Sequence, residues 1–132
     1  KKKMNRDISL LIARFFFAGL MMYNHGYKYF LEIWPFNDIS LGSSDKNIFG
    51  LGAIISTILF FLGEFLGPLF VFVGYKTKLF SLLPVITMIC AITLAHSSDP
   101  FSGGEMAMLF LAGFSIILLM GPGKYSIDRK FS

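Results

Sequence analysis

A lone carboxylate and a lone guanidinium lie deep inside two apolar segments of this chain. Glu64 is the only charged residue between Ile48 and Val73, and Arg14 lies in the apolar segment Ile8–Phe30. Ionisable groups in the apolar core of a membrane are costly, so they usually have a partner or a function. A guanidinium and a carboxylate can satisfy each other in a dry helix interior. We therefore predict a buried ion pair between Arg14 and Glu64, which could be structural only or part of a site.

A second group of ionisable residues lies near the other ends of the apolar segments. It consists of His25, Lys28, His96 and Glu105. These residues come from three segments at similar depth, and histidine beside a carboxylate is the usual proton-handling pair. We expect them to converge on a ligand or proton site. The alternative is contact with water and lipid headgroups, because Lys28 and Glu105 can reach the interface.

A metal or haem site receives little support from these residues. Two histidines and one carboxylate could hold a metal, but their spacing is not diagnostic. Two histidines on separate helices could ligate haem, yet the chain has no CxxCH motif and no matched second pair. Cys90 is the only cysteine, which excludes an internal disulfide or a CxxC site. We therefore assign no metal and no covalently bound cofactor, and we expect Cys90 to be packing material.

The polar residues of the first two segments recur at helical spacing. In the first segment one stripe contains Arg14, Ala18, Met21, His25 and Lys28. In the second, one face contains Thr57, Phe60, Glu64 and Gly67. We expect these two faces to pack against each other in the interior, because all the basic residues of Ile8–Phe30 lie on this one stripe.

The backbone around Glu64 has special features of its own. Pro68 removes a helical hydrogen bond and clashes with the carbonyl four positions back, which is that of Glu64. Gly63 and Gly67 flank Glu64 and permit close approach of another helix. Pro84 should similarly free the carbonyl of Phe80.

The composition places these residues in a membrane protein. The chain has 132 residues, of which 55% are apolar and 15% charged, and its mean hydropathy is +0.66. A soluble domain of this length needs more polar surface. We predict an all-α, polytopic membrane protein forming one domain over residues 1–132, a bundle of four transmembrane helices at about 8–30, 48–73, 79–96 and 103–120. The apolar part of the first segment is too long for a signal peptide, so we expect it to be retained.

The basic residues predict the orientation. Nine of them flank one side of the predicted spans: Lys1, Lys2, Lys3, Arg6, Lys76, Lys78, Lys124, Arg129 and Lys130. The other side has Lys46 as its only base, in the long loop Glu32–Asn47. The positive-inside rule then places both termini in the cytoplasm, which requires an even number of spans. The net charge of +4 reflects this topology, and we expect no nucleic-acid partner.

Three segments resemble the DoxX family of small bacterial membrane proteins. They are LIARFFFAGLMMYNHG at Leu11–Gly26, GEFLGPLFVFVGYKTK at Gly63–Lys78 and GPGKYSID at Gly121–Asp128. His96 and Glu105–Met106 also fit the family pattern. The resemblance implies a four-helix protein of the bacterial cytoplasmic (inner) membrane with cytoplasmic termini. Members of the family have been linked to thiosulfate:quinone oxidation and to membrane redox complexes that handle thiol or oxidative stress.

Three functions follow from these observations as hypotheses. The leading one is a small inner-membrane subunit of a larger complex, redox-linked and able to bind a quinone or lipid, with other membrane subunits and the bilayer as partners. The chain would then be a non-catalytic component of a membrane oxidoreductase. The rivals are a purely structural assembly subunit and a pathway for small molecules or protons. A ligand site needs a cavity beside Glu64, whereas a structural role needs a closed ion pair.

Overall fold

The chain is described by a computed structural model, which covers residues 1–33, 50, 52–95, 98–99 and 101–131. These residues form helices and no strand. The first helix, α1, spans residues 2–33, the second, α2, residues 53–73, and the third, α3, residues 77–95. The fourth, α4, is Glu105–Met120, and a short fifth, α5, is Ile127–Lys130.

Wider turns interrupt the first three helices. Regular α-helix in α1 covers Lys2–Ala13, Gly19–Met21 and Tyr27–Ile33, and in α2 it covers Ala53–Phe61 and Gly67–Val73. In α3 it covers Thr77–Cys90. The remaining residues of these helices form π-helical turns at Arg14–Ala18, Met22–Gly26, Leu62–Leu66 and Ala91–Ala95.

Three of the helices are long and apolar enough to cross a membrane. They are Lys2–Leu31, Ile54–Val73 and Thr77–Leu94, which confirms the membrane character predicted for the first three segments. Helix α4 has 16 residues and spans about 24 Å at 1.5 Å per residue. That is less than the roughly 30 Å of a bilayer core. The fourth span and the cytoplasmic placement of the termini therefore stay predictions.

The helix boundaries differ from the sequence prediction in small ways. Helix α1 begins at Lys2, six residues before the predicted start, because its charged first turns extend beyond the apolar segment. Gly104 is the N-cap of α4. The turn between α2 and α3 is as tight as predicted, with Gly74 and Lys76 both in the left-handed conformation at φ 78° and 43°. The predicted loop Glu32–Asn47 lies almost wholly outside the described residues.

The predicted inward face of α2 is buried, and that of α1 is buried from Arg14 to Met21, whereas His25 is half-buried and Lys28 is exposed. On α1, Arg14 is 2% exposed, and Ala18 and Met21 are fully buried. On α2, the buried residues include Thr57, Phe60, Glu64 and Gly67. An apolar core continues from these faces to α3 and α4, consisting of Ala18, Met21, Val71, Met88, Phe110, Phe114 and Ile117.

Glycines set the closest helix approaches around Glu64. A Cβ added at Gly63 would overlap the side chain of Thr87, and one added at Gly67 would lie 3.0 Å from Leu83 Cβ. Both contacts are with α3, so the close approach expected at these glycines occurs there. The glycine that brings α1 against α2 is Gly26, where an added Cβ would overlap the backbone carbonyl of Glu64.

Candidate functional site

Arg14 binds backbone carbonyls and does not pair with Glu64. Its Nε and Nη2 donate to the carbonyls of Val71 and Phe72, each at 3.0 Å. Its Nη1 donates to the carbonyls of Pro122 at 2.9 Å and Tyr125 at 2.7 Å. The predicted ion pair is wrong because these acceptors satisfy the guanidinium at the end of α2. The last carbonyls of a helix lack partners within the helix and carry partial negative charge, so they attract a cation.

The segment Gly121–Asp128 completes this arrangement. Asp128 accepts hydrogen bonds from the backbone N–H of Lys76 at 2.6 Å and from both the N–H and the hydroxyl of Thr77 at 2.9 Å. Its own N–H donates to the Gly74 carbonyl at 2.8 Å. Asp7 of α1, only 3% exposed, accepts from the N–H of Lys124 at 3.2 Å.

These contacts join four parts of the chain at one end of the packed helices. We call them the terminal network, comprising Asp7, Arg14, Asp128 and the backbone groups that they bind. The network joins α1, the end of α2, the turn between α2 and α3, and the segment after α4. It therefore has a structural role, since each charged group is engaged by backbone partners.

Glu64 lies in a different part of the molecule. It is 7% exposed, and its Oε2 has no hydrogen-bond partner among the described residues. A buried polar atom without a partner costs free energy unless water, a proton or a ligand satisfies it. Such an atom is therefore the strongest indication of a binding site in the described part of the chain.

A cavity of about 130 Å³ adjoins Glu64. It is lined by Met21, His25, Glu64, Met88, Ala91, Gly103, Met106, Ala107 and Phe110. His25 packs its ring edge-on against Phe110, with the ring centroids 5.6 Å apart. We call this space the Glu64 cavity. It is an apolar space with two ionisable side chains, which is the usual composition of a small-ligand site.

The cavity lies away from the terminal network. Of its lining residues, Gly103 lies just before α4 and Met106 lies in the first turn of that helix. The terminal network lies near Gly121, which follows the last turn of the same helix. Met106 is 56% exposed, so the cavity reaches the surface of the packed helices there.

Three of the π-helical turns each contain a residue that lines the Glu64 cavity. His25 lies in Met22–Gly26, Glu64 in Leu62–Leu66 and Ala91 in Ala91–Ala95, and all three line the Glu64 cavity. A π-helical turn inserts an extra residue into an α-helix, which displaces side chains from their regular positions and is frequent at functional sites. The widened turns thus account for the open space between otherwise tightly packed helices.

Lys28 and Glu105, two further predicted site residues, are not among the described residues that line this cavity. Lys28 is exposed, with its Nζ 4.8 Å from the centroid of the Tyr29 ring. Glu105 is exposed on the first turn of α4, so its predicted convergence with His25 is not seen. His96 lies outside the described residues. Among the residues described, no group of three or more metal-ligating side chains is present.

Comparison with known proteins agrees with this architecture. The family model described as DoxX matches residues 9–97, which include most of α1, all of α2 and α3, and both ionisable residues described in the lining of the Glu64 cavity, His25 and Glu64. No curated protein and no solved structure gives a significant match. Because the model covers more than half of the chain, the protein belongs to the DoxX family.

Proposed function

We propose that the protein is a redox-linked subunit of a larger membrane complex, and that it binds the ring of a quinone in the Glu64 cavity. The observation that carries this proposal is that Glu64, whose Oε2 has no hydrogen-bond partner among the described residues, lines a small cavity together with His25. A hydroquinone hydroxyl can donate to a carboxylate oxygen, and an imidazole N–H can donate to a quinone carbonyl. Glu64 can thus bind the reduced ring, and His25 can bind the oxidised ring.

The size and the walls of the cavity suit a single ring. A cavity of about 130 Å³ is close to the roughly 150 Å³ that accommodates a benzene ring. Phe110 offers an aromatic surface, and Met21 and Met88 offer polarizable sulfur atoms that make favourable contacts with rings. The exposed Met106 marks the side at which an apolar tail would leave toward lipid.

A partner subunit is part of the proposal for a chemical reason. A quinone that accepts electrons needs a donor, and the sequence contains one cysteine and no recognisable cofactor motif. The electron donor is therefore proposed to be a cofactor of another subunit in the bacterial inner membrane. The chain itself would bind and orient the quinone, which makes it a non-catalytic component of an oxidoreductase.

A structural assembly role is the second candidate. It is favoured by the terminal network, in which Arg14 donates to four backbone carbonyls and is satisfied without any ligand.

Binding of a short-chain benzoquinone to the purified full-length protein tests the proposal. Equilibrium dialysis with optical detection should give a saturable site. Ala107→Leu, which fills the cavity, and Glu64→Leu, which removes the carboxyl group, should each weaken binding at least tenfold. Ala112→Leu is the matched control, because Ala112 is exposed on the same helix and does not line the cavity.

The results separate the candidate functions. Quinone that copurifies with the protein from native membranes would support the proposal if its amount is smaller for the two cavity variants and unchanged for Ala112→Leu. Folded protein without saturable quinone binding would overturn it and favour the structural subunit.

A further inference from the structure

A large basic cleft lies at the end of the molecule that contains the terminal network. Its volume is about 760 Å³. Six basic side chains line it: Lys1, Lys3, Arg6, Lys78, Lys124 and Arg129. They come from the start of α1, the start of α3 and the segment around α5, so the fold brings together residues that are far apart in the sequence. The fold therefore assembles the cleft from separate segments, and the cleft is not a run of lysines adjacent in the sequence.

One acidic residue is found among the described residues that line the cleft, and its charge is already engaged. Asp7 is 3% exposed, accepts a hydrogen bond from the N–H of Lys124, and has an oxygen 3.7 Å from Arg6 Nη2. Among the described residues, no other carboxylate lines the cleft beside its exposed lysines. Positive charge focused in a concave surface attracts anions.

Apolar and aromatic side chains form the edge of the cleft. Met4 and Met120, which line it, are 54% and 49% exposed. Leu79 and Leu119, which adjoin the lining residues Lys78 and Met120 in the sequence, are 58% and 79% exposed. Tyr125, 45% exposed, also lines the cleft, and tyrosine is enriched where the bilayer meets water. Cationic groups on one side and exposed apolar groups on the other fit an amphiphile better than a free anion.

We propose that this cleft binds the headgroup of an anionic phospholipid, with the acyl chains lying against the exposed apolar side chains at its edge. The phosphate lies among Lys3, Lys78 and Lys124, each of which donates from an ammonium group. Basic pockets between membrane helices are known to bind such headgroups. The site is separate from the Glu64 cavity, because no described residue lines both.

A pair of triple variants distinguishes a site from a diffuse positive field. Lys3→Gln, Lys78→Gln and Lys124→Gln together remove three charges from the cleft. Lys2→Gln, Lys76→Gln and Lys130→Gln together remove the same charge from exposed residues that do not line it. Replacing the three cleft lysines by arginine retains the charge and should retain binding, which controls for folding.

The measurement is native mass spectrometry of the full chain in detergent with equal amounts of phosphatidylglycerol and phosphatidylcholine. We expect the parent and the control variant to retain phosphatidylglycerol preferentially. The cleft variant should bind it more weakly by on the order of 100-fold, about fivefold for each lysine. Thermal unfolding monitored by circular dichroism should show the same ranking of stabilisation by the anionic lipid.

Three results would overturn the proposal. Equal losses in both glutamine variants would show that the attraction is a diffuse field. Equal retention of phosphatidylcholine would remove the headgroup specificity. If inorganic phosphate alone stabilises the parent protein against thermal unfolding as much as phosphatidylglycerol does, the cleft binds a free anion.

Discussion

Gly26 packs directly against the backbone of Glu64. A Cβ added at Gly26 would overlap the Glu64 carbonyl oxygen and lie 2.8 Å from Phe65 Cα. This carbonyl is the one that Pro68 deprives of its helical hydrogen bond, since proline at i+4 has no N–H. The contact fixes α1 and α2 at the level of the Glu64 cavity, so it determines how closely His25 approaches the carboxyl group.

Gly26→Ala should therefore destabilise the protein. The obstructing atoms belong to the backbone of α2 and cannot move aside, so we expect a loss of about 1–3 kcal/mol. Gly19→Ala is the matched control in the same helix, because its added Cβ would meet the Phe72 ring at an ordinary 3.5 Å. Thermal unfolding in detergent measures both. Equal stability of the two variants would contradict the close contact.

The inward faces of α1 and α2 were predictable, whereas the widened turns between them were not. Helical spacing correctly predicts that Arg14, Met21 and Glu64 face inward, since periodicity reports which side of a helix is apolar. The cavity depends on π-helical turns at His25 and Glu64. These turns depend on contacts between helices, and no residue pattern within one helix predicts them.

Removal of Arg14 should destabilise the protein independently of Glu64. Arg14→Met leaves the buried carbonyls of Val71 and Phe72 without their side-chain donor and frees two carbonyls after α4. We expect a loss of at least about 3 kcal/mol, because hydrogen bonds to a charged group contribute about 1.5–3 kcal/mol each. Combined with Glu64→Gln, the effects should add within about 0.5 kcal/mol. A larger coupling energy in this double-mutant cycle would indicate a direct contact between the two side chains.

The error in the Arg14 prediction has a clear physical origin. The sequence predicts that the two charged residues lying inside apolar segments meet, because side-chain charges are visible in a sequence. Backbone acceptors are present at every residue, so the sequence does not mark the ones that lack a partner. The end of α2 at Gly74, the left-handed residue that terminates the helix, is the signal that could have found them.

Asp128 should contribute to stability through α3. Its carboxylate receives the first N–H groups of that helix and the Thr77 hydroxyl, which is the role of an N-cap supplied from elsewhere in the chain. Asp128→Ala should cost about 1–2 kcal/mol, as loss of a cap does. Asp99→Ala is the comparison, because Asp99 is exposed and, in the described part of the chain, its carboxylate accepts from the nearby N–H groups of Ser102 and Gly103. A larger effect at Asp99 than at Asp128 would contradict this role.

The final prediction concerns whether α4 crosses the membrane. Helix α4 is mostly apolar, but its 16 residues are few for a complete bilayer core. The terminal network nevertheless places the segment after α4 beside Asp7 and Thr77, which is the geometry expected when every helix from α1 to α4 crosses once.

After replacement of Cys90, a cysteine at position 124 should be inaccessible to an impermeant reagent in intact cells, and one at position 102 should react. A cysteine at position 76 should behave like the one at position 124. Reaction of positions 102 and 124 from the same side would show that α4 does not cross, and exposure of positions 76 and 124 outside would reverse the predicted orientation.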